Sequence, residues 1–235
     1  MRLRLVTLPG VFRPDGDSRM LADILEDSTR PDDRVLDVFT GSGVFAITAA
    51  RAGAAEVWAV DVSRRATICA AINARLNRVA VKVRRGSLLE PARGERFDTI
   101  VANPPYMPSD EEGVEPRGAA RAWEGGPDGR ALLDPFLAQA PEHLLPGGRI
   151  LVVHSSLSGI DRTLELLAAR GLEAGVAAQA EVPLGPLAAA RAEELEQRGA
   201  LRPGERTETI AVIEGRDRST AATRDATVAE ISALR

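Results

Sequence analysis

The sequence predicts an α/β protein with a parallel sheet covered by helices on both faces, and three observations carry that prediction. Short apolar runs (RVLDVF, EVWAVD, FDTIVAN, RILVVHS) alternate with stretches of helical period. The runs are apolar almost throughout, as in strands buried on both faces. The residues with chemistry in them stand just after those runs, at the carboxyl ends, where open α/β sheets bind their ligands.

Taken in order, Pro14 and Asp17 precede Ser18, a helix-cap residue, and Met20, Leu21, Ile24 and Leu25 line one face of the helix that follows. RPDDR turns the chain into the strand RVLDVF. TGSG opens a helix from about Val44 to Ala52, stopped by Gly53. After the strand EVWAVD, Ser63 caps a helix whose Ile68, Ile72 and Leu76 recur at i, i+4 and i+8, with Cys69 beside that stripe read as core. VKVRRG and FDTIVAN are the third and fourth strands.

Residues 107–129 are rich in Gly, Pro and Glu, lack a period, and read as a long loop, of a length that is usually functional or disordered inside a domain. A helix is expected through RALLDPFLAQAPEHLL, bent near Pro135 and ended by PGG before the strand RILVVHS. Ile160, Leu164 and Leu167 mark another helix, closed by Gly171, and LEAGVAAQAEV and RTETIAVIEG are two final strands. Between those strands, residues 186–205 read as an inserted surface helix with a Glu194–Arg198 pair one turn apart. The organisation expected is one domain over 1–215, beginning with an N-terminal segment and helix (1–30), then a loosely held polar tail from Arg216 to Arg235.

Composition narrows the function classes. At 235 residues, 44% hydrophobic and 27% charged, the chain fits a globular protein with a sizeable core. A net charge of −4 argues against wide phosphate contact and leaves room for a local basic groove. Cys69 is the one cysteine, so no intrachain disulfide forms and a reducing cytoplasm is expected. MRLRLVTLPG lacks the apolar run of a signal peptide, and no stretch is long enough to span a membrane. One cysteine and two histidines, widely spaced, make no metal signature. His143 and His154 read as structural, and Trp58 as core.

In DVFTGSG, Asp37 ends a strand and Gly41 and Gly43 form the turn before a helix; with Ala46 they fit G-x-G-x-x-A. That spacing suits a dinucleotide or a smaller nucleoside cofactor. Asp61 ends the next strand, where a carboxylate can accept from both ribose hydroxyls. The fourth strand ends in NPPY: Asn103 offers a side-chain carbonyl, Pro104 a backbone carbonyl held by a rigid ring, and Tyr106 a flat face. Two such acceptors can grip the two hydrogens of a planar NH2 and favour the positive charge that develops on its nitrogen.

These residues resemble the class I S-adenosylmethionine-dependent methyltransferases. The resemblance implies a Rossmann-like seven-stranded sheet with its last strand antiparallel. It also implies S-adenosyl-L-methionine as cofactor, with S-adenosyl-L-homocysteine as product. The amino-acid end would lie near Asp37 and Gly41, the ribose at Asp61, and the adenine near Ser87 and Leu88, where many relatives carry an acid in place of Ser87; Thr40, Gly43, Val62 and Asn103 are further residues expected to bind the cofactor. FRPDGDSRMLAD, NPPY and AARAWEGGPDGRALLDPF together are similar to the HemK/PrmC-type glutamine methyltransferases, in particular the single-domain branch acting on the Gly-Gly-Gln tip of class I release factors. By that resemblance Pro14, Asp17 and Ser18 lie beside the cofactor's methionine end. Trp123 to Gly129 shape a substrate pocket over Asn103, Pro104, Pro105 and Tyr106. Single-domain relatives work with a small zinc-binding activator subunit, so such a partner enters as an expectation.

Two other enzyme readings use the same clamp: a nucleic-acid exocyclic-amine methyltransferase, and a small-molecule N-methyltransferase of specialised metabolism. The acidic balance and an aromatic content of 3% weigh against the first. Arg2, Arg4, Arg13, Arg84 and Arg85 could form a basic patch or a solvated surface. A degenerate cofactor-binding scaffold is the non-enzymatic reading, and intact Asp61 and NPPY weigh against it.

Overall fold

In the computed structural model, residues 3–109 and 123–219 are described. The elements in chain order are α1 (Gly16–Ser28), β1 (Arg34–Val38), α2 (Val44–Ala52), β2 (Glu56–Asp61), α3 (Arg64–Leu76), β3 (Lys82–Arg85) and β4 (Phe97–Ala102). They continue as α4 (Leu133–Gln139), β5 (Leu144–Ser155), α5 (Ile160–Ala169), β6 (Glu173–Pro183), α6 (Pro186–Ala190), α7 (Ala192–Gln197) and β7 (Thr207–Arg216). Seven strands form one sheet in the order β3-β2-β1-β4-β5-β7-β6. The strands from β3 to β5 pair in parallel, and β7 runs antiparallel to both its neighbours.

The central strands are apolar because both faces are covered. Leu36, Trp58, Phe97, Ile100, Phe136 and Leu137 pack in one layer, and Leu21, Leu25, Val35, Phe45, Val101 and Val153 in the other. Chain order reverses between β1 and β4, so the connections from their carboxyl ends leave to opposite sides and a crevice opens between them. Gly53 stops α2 in the left-handed region at φ 106°, and Ser63 Oγ caps α3 by accepting from Ala66 N at 3.3 Å.

Several expectations are corrected. α1 starts at Gly16 behind Asp15, so Ser18 lies inside its first turn, buried, rather than capping it. The helix expected from Arg130 is shorter: α4 begins at Leu133, Pro135 occupies its first turn where no N–H is needed, and β5 already starts at Leu144. β5 absorbs PGG as an irregularity, with Phe97 opposite Leu144 and Thr99 opposite Arg149. The insertion is two short helices, and Ala188 and Leu195 are fully buried in a cluster with Leu157, Ala192 and Leu201. Arg216 belongs to β7, and Asp217 N donates to Gly148 O; residues 220–235 of the expected tail lie outside the described residues, as do Arg2 and residues 110–122 of the long loop.

The largest correction concerns α3. Its buried face is small (Ala66, Cys69, Ala70, Asn73, Ala74), while Ile68, Ile72 and Leu76 are 44%, 38% and 41% exposed. The i, i+4 stripe is real but points to solvent. Small residues face inward because α3 approaches α2 closely: a Cβ on Gly43 would meet Ala70 Cα and Cβ at 3.0 Å. Asn73 and Asn77 then tie the N-terminal segment along α3, with Val6 N donating to Asn73 Oδ1 at 2.8 Å and Arg4 N to Asn77 Oδ1 at 3.0 Å.

Candidate active site

The crevice at the carboxyl ends holds a cavity of about 940 Å³. Of the candidate residues, Asp17, Ser18, Thr40, Gly41, Asp61, Val62, Ser87, Leu88, Asn103, Pro104, Pro105, Tyr106 and Trp123 line it, as does Pro14. Asp37 and Gly43 do not: both stand behind the wall.

Asp37 is fully buried. Its Oδ2 accepts from Thr40 Oγ1 at 2.5 Å and from Ala46 N at 3.0 Å, while its Oδ1 has no hydrogen-bond partner. Burial pushes its carboxyl up to about 7, against the pull of those two donors and with a push from Asp61. Asp37 therefore shapes the turn from beneath. Gly41 and Gly43 adopt φ 51° and 84°, which side chains avoid; Gly43 also permits the close α2–α3 approach, so the two glycines serve different needs.

Asp61 faces the cavity with both oxygens tied to main-chain donors, Oδ2 to Gly41 N at 3.0 Å and Oδ1 to Ser63 N at 2.8 Å. Burial pushes its carboxyl up, and these bonds oppose the shift. Each oxygen keeps a lone pair for a hydroxyl ligand. Ser87 is exposed at the rim, and Leu88 holds φ 49°, in the left-handed region.

Across the cavity, β4 delivers Asn103 to the central edge of the crevice. Asn103 Nδ2 donates to Ser18 Oγ at 3.4 Å, which leaves its carbonyl oxygen as the acceptor available to a ligand. The Tyr106 hydroxyl donates to the Asp17 carboxylate, and burial, Asp17 and Glu208 all hold its pKa above the ordinary tyrosine value. Asp17 and Ser18 thus meet the clamp directly, one turn into α1. Trp123 and Met107 form the neck of the following loop: Met107 N donates to Trp123 O and Gly125 N to Met107 O, both at 2.8 Å. Gly125 and Gly129 admit no side chain, since a Cβ at Gly125 would stand 2.7 Å from Pro105 O and one at Gly129 2.2 Å from Tyr106 O.

Sequence reasoning missed several lining residues. Phe39, at φ 61°, and Phe45 add apolar wall, and Val182, Pro183 and Pro186 to Ala188 bring β6 and the insertion to the cavity. Glu208 on β7 is 7% exposed; it accepts from Ser155 Oγ and from Gly185 N at 3.3 Å, and burial pushes its carboxyl up. No local motif marks it, because it arrives from the far end of the chain.

Further back, His154 is buried, with Nε2 2.9 Å from Thr163 Oγ1, and burial pushes its pKa down to about 4. Arg130 bonds Thr163, Ser158 O, Gly159 O and Asp134, which pins the stem before α4. His154 is a satisfied structural residue. Among the described residues no cluster of metal-ligating side chains occurs, and no helix is long and apolar enough to cross a membrane.

The family model described as Methyltransferase small domain matches residues 2–115. A Methanocaldococcus jannaschii protein, assigned by name only as a protein N5-glutamine methyltransferase, is 34% identical over 185 residues, covering 79% of this chain and 92% of its own length. A release factor glutamine methyltransferase of Gloeobacter violaceus is 36% identical over 156 residues, and there the match spans 54% of the relative and 62% of this chain. Among solved structures, the E. cuniculi Mtq2-Trm112 complex, described as methylating the eRF1 translation termination factor, aligns at TM-score 0.62 and 21% identity over 88% of this chain and 99% of that one. That likeness shows the fold.

Proposed function

We propose a substrate from one premise: the chain belongs to the HemK-type protein glutamine methyltransferases, and is a methyltransferase of the class I fold. Its substrate is the side-chain amide of a protein glutamine, foremost the Gly-Gly-Gln glutamine of a class I release factor, and the reaction is cytoplasmic. The Asn103 amide carries the planar-NH2 part of this reading, and likeness to the Methanocaldococcus jannaschii and Gloeobacter violaceus glutamine methyltransferases supports the glutamine part. With one Nδ2 hydrogen engaged by Ser18, the residue has its carbonyl oxygen free to accept, beside the carbonyl of Pro104. Two acceptors suit a planar NH2 and leave a hydroxyl or thiol nucleophile poorly matched.

The cavity fits S-adenosyl-L-methionine. Asp61 keeps acceptor capacity at the end of β2, Gly41 offers close backbone, Phe39 and Leu88 offer apolar surface, and Asp17 offers negative charge for a cationic ligand. When bound, that cofactor supplies an electrophilic methyl group on a sulfonium and leaves as S-adenosyl-L-homocysteine. The protein's own share is positional. Asn103 and Pro104 orient the NH2, Tyr106 is held by Asp17 against its plane, and Pro105 and Trp123 close the acceptor side from water. The acceptor carbonyls favour charge developing on nitrogen, so no side chain has to remove a proton beforehand.

The exposed face of α3 supports an accessory subunit of the kind seen in the Mtq2-Trm112 complex. Ile68, Ile72 and Leu76 are exposed there, and residues 62–89 carry seven Lys and Arg with no Asp or Glu. An apolar stripe rimmed by positive charge fits a small acidic protein and repels a second copy of itself. Activity should rise when such a subunit is supplied, and Ile72→Asp should cancel the rise. Nucleic acid binding with no effect of Ile72→Asp would remove the subunit.

Incubation with methyl-labelled cofactor and separate pools of release factor, RNA, DNA and small metabolites tests the main reading. Label should enter a release-factor glutamine and vanish with Asn103→Ala. Label confined to nucleic acid or metabolites overturns it.

A further inference from the structure

The insertion between β6 and β7 holds the neck of the loop that follows the clamp. α6 and α7 have five and six residues, too short to persist unaided. They are held from below by Leu157, Ala188, Ala192, Leu195 and Leu201, a cluster against which Met107 packs. From the side they are held by arginine. Arg191, at the joint between the two helices, donates through one guanidinium nitrogen to Pro108 O at 3.0 Å and through another to Glu124 Oε1 at 3.1 Å.

Those two partners lie on opposite stems of the loop. Pro108 follows Tyr106 by two residues on the outgoing stem, and Glu124 follows Trp123 on the returning one; Met107 and Glu124 form a bridge between the stems. Arg198 repeats the bond pattern further out, reaching Pro127 O at 3.1 Å and Ser109 O at 3.4 Å. Arg191 therefore reinforces the spacing of Tyr106 and Trp123 that the Met107–Trp123 and Gly125–Met107 main-chain bonds begin, while Pro186, Leu187 and Ala188 of the same segment form cavity wall.

We propose that Arg191 is a positioning residue for the polypeptide acceptor: by fastening both stems it sets Tyr106 and Trp123 at the spacing that admits a glutamine side chain on an extended chain. This rests on the protein-glutamine reading above. It places specificity for the acceptor in the insertion, away from the cofactor side at Asp61 and Gly41.

Steady-state kinetics with release factor varied at saturating S-adenosyl-L-methionine provide the test. Arg191→Ala should raise the KM for release factor about tenfold, with cofactor affinity changed by less than about twofold. Arg191→Lys, able to make one of the two contacts, should fall between. Hydrogen exchange at the Met107 and Gly125 amides should quicken in Arg191→Ala while amides in β4 stay protected. Unchanged KM and exchange in Arg191→Ala overturn the proposal, as does an equal loss of cofactor affinity and thermal stability in both variants. If the wild type labels no protein at all, the substrate reading has failed, and the exchange measurement still judges the arginine.

Discussion

Replacing Asp37 with asparagine should change how stability depends on pH more than it changes stability at any one pH. In the folded chain the Asp37 carboxyl titrates at about 7 against an unfolded value of 3.8, because burial outweighs the bonds from Thr40 and Ala46. Between those two values the folded state holds a proton that the unfolded state has released. Its stabilising share is complete below 3.8 and is lost as pH rises through 7. From pH 5 to pH 8 the loss amounts to about 3 kcal/mol, at about 1.4 kcal/mol per pH unit across the interval where only the unfolded state is ionised.

His154 runs the other way. Its folded pKa of about 4 lies below 6.5, so its contribution is present above 6.5 and fades as pH falls toward 4. Wild-type stability therefore blends opposed slopes, to which the raised carboxyls of Asp61 and Glu208 add on the side of Asp37. Subtracting wild type from Asp37→Asn cancels His154 and isolates Asp37. Urea unfolding followed by circular dichroism at pH 5, 6, 7 and 8 should show the variant gaining about 3 kcal/mol relative to wild type across the series. Parallel curves, offset by a constant, would refute the claim that this carboxyl is held neutral beneath the glycine turn.

Asn103→Ala should lower kcat about a hundredfold, equivalent to about 2–3 kcal/mol from a bond to developing charge, while calorimetry shows cofactor affinity nearly kept. Tyr106→Phe keeps the ring but strips Asp17 of its donor, and kcat/KM for release factor should drop about tenfold. Gly43→Ala forces a side chain to φ 84° and to 3.0 Å from Ala70, so urea unfolding should show a loss of about 2–3 kcal/mol. Asp61→Asn replaces one acceptor oxygen with an NH2 facing Gly41 N or Ser63 N; the Kd for S-adenosyl-L-methionine should rise by about tenfold or more in calorimetry.

The strands could be read from the sequence because buried parallel strands are nearly continuous apolar runs: EVWAVD and FDTIVAN begin and end as read, within a residue. Helices were less transparent. On α3 the largest aliphatic residues face outward, because close packing against Gly43 and the N-terminal segment demands alanine on the inner face, and period alone cannot distinguish a face turned to the core from one turned to a partner. At Arg130 the apolar run looked continuous with a helix, yet β5 captured Leu144 and Leu145 by pairing beside Phe97. The site divides the same way. Residues at strand ends (Asp61, Asn103 to Tyr106) carry local motifs, whereas Glu208 and the wall at Pro186 reach the cavity, and Arg191 the stems of the loop beside it, only through β6, β7 and their connection, which no window of sequence contains.

The β6–β7 return also sets what kind of change the molecule tolerates. Pro183 and Thr207 stand opposite each other on neighbouring antiparallel strands, so the segment between them leaves and re-enters the sheet at almost the same point. Its length is thereby uncoupled from sheet geometry: residues can be added or removed there without shifting a strand. If Arg191 sets the acceptor as proposed, exchanging this one cassette changes acceptor preference and leaves Asp61 and Gly41 in place.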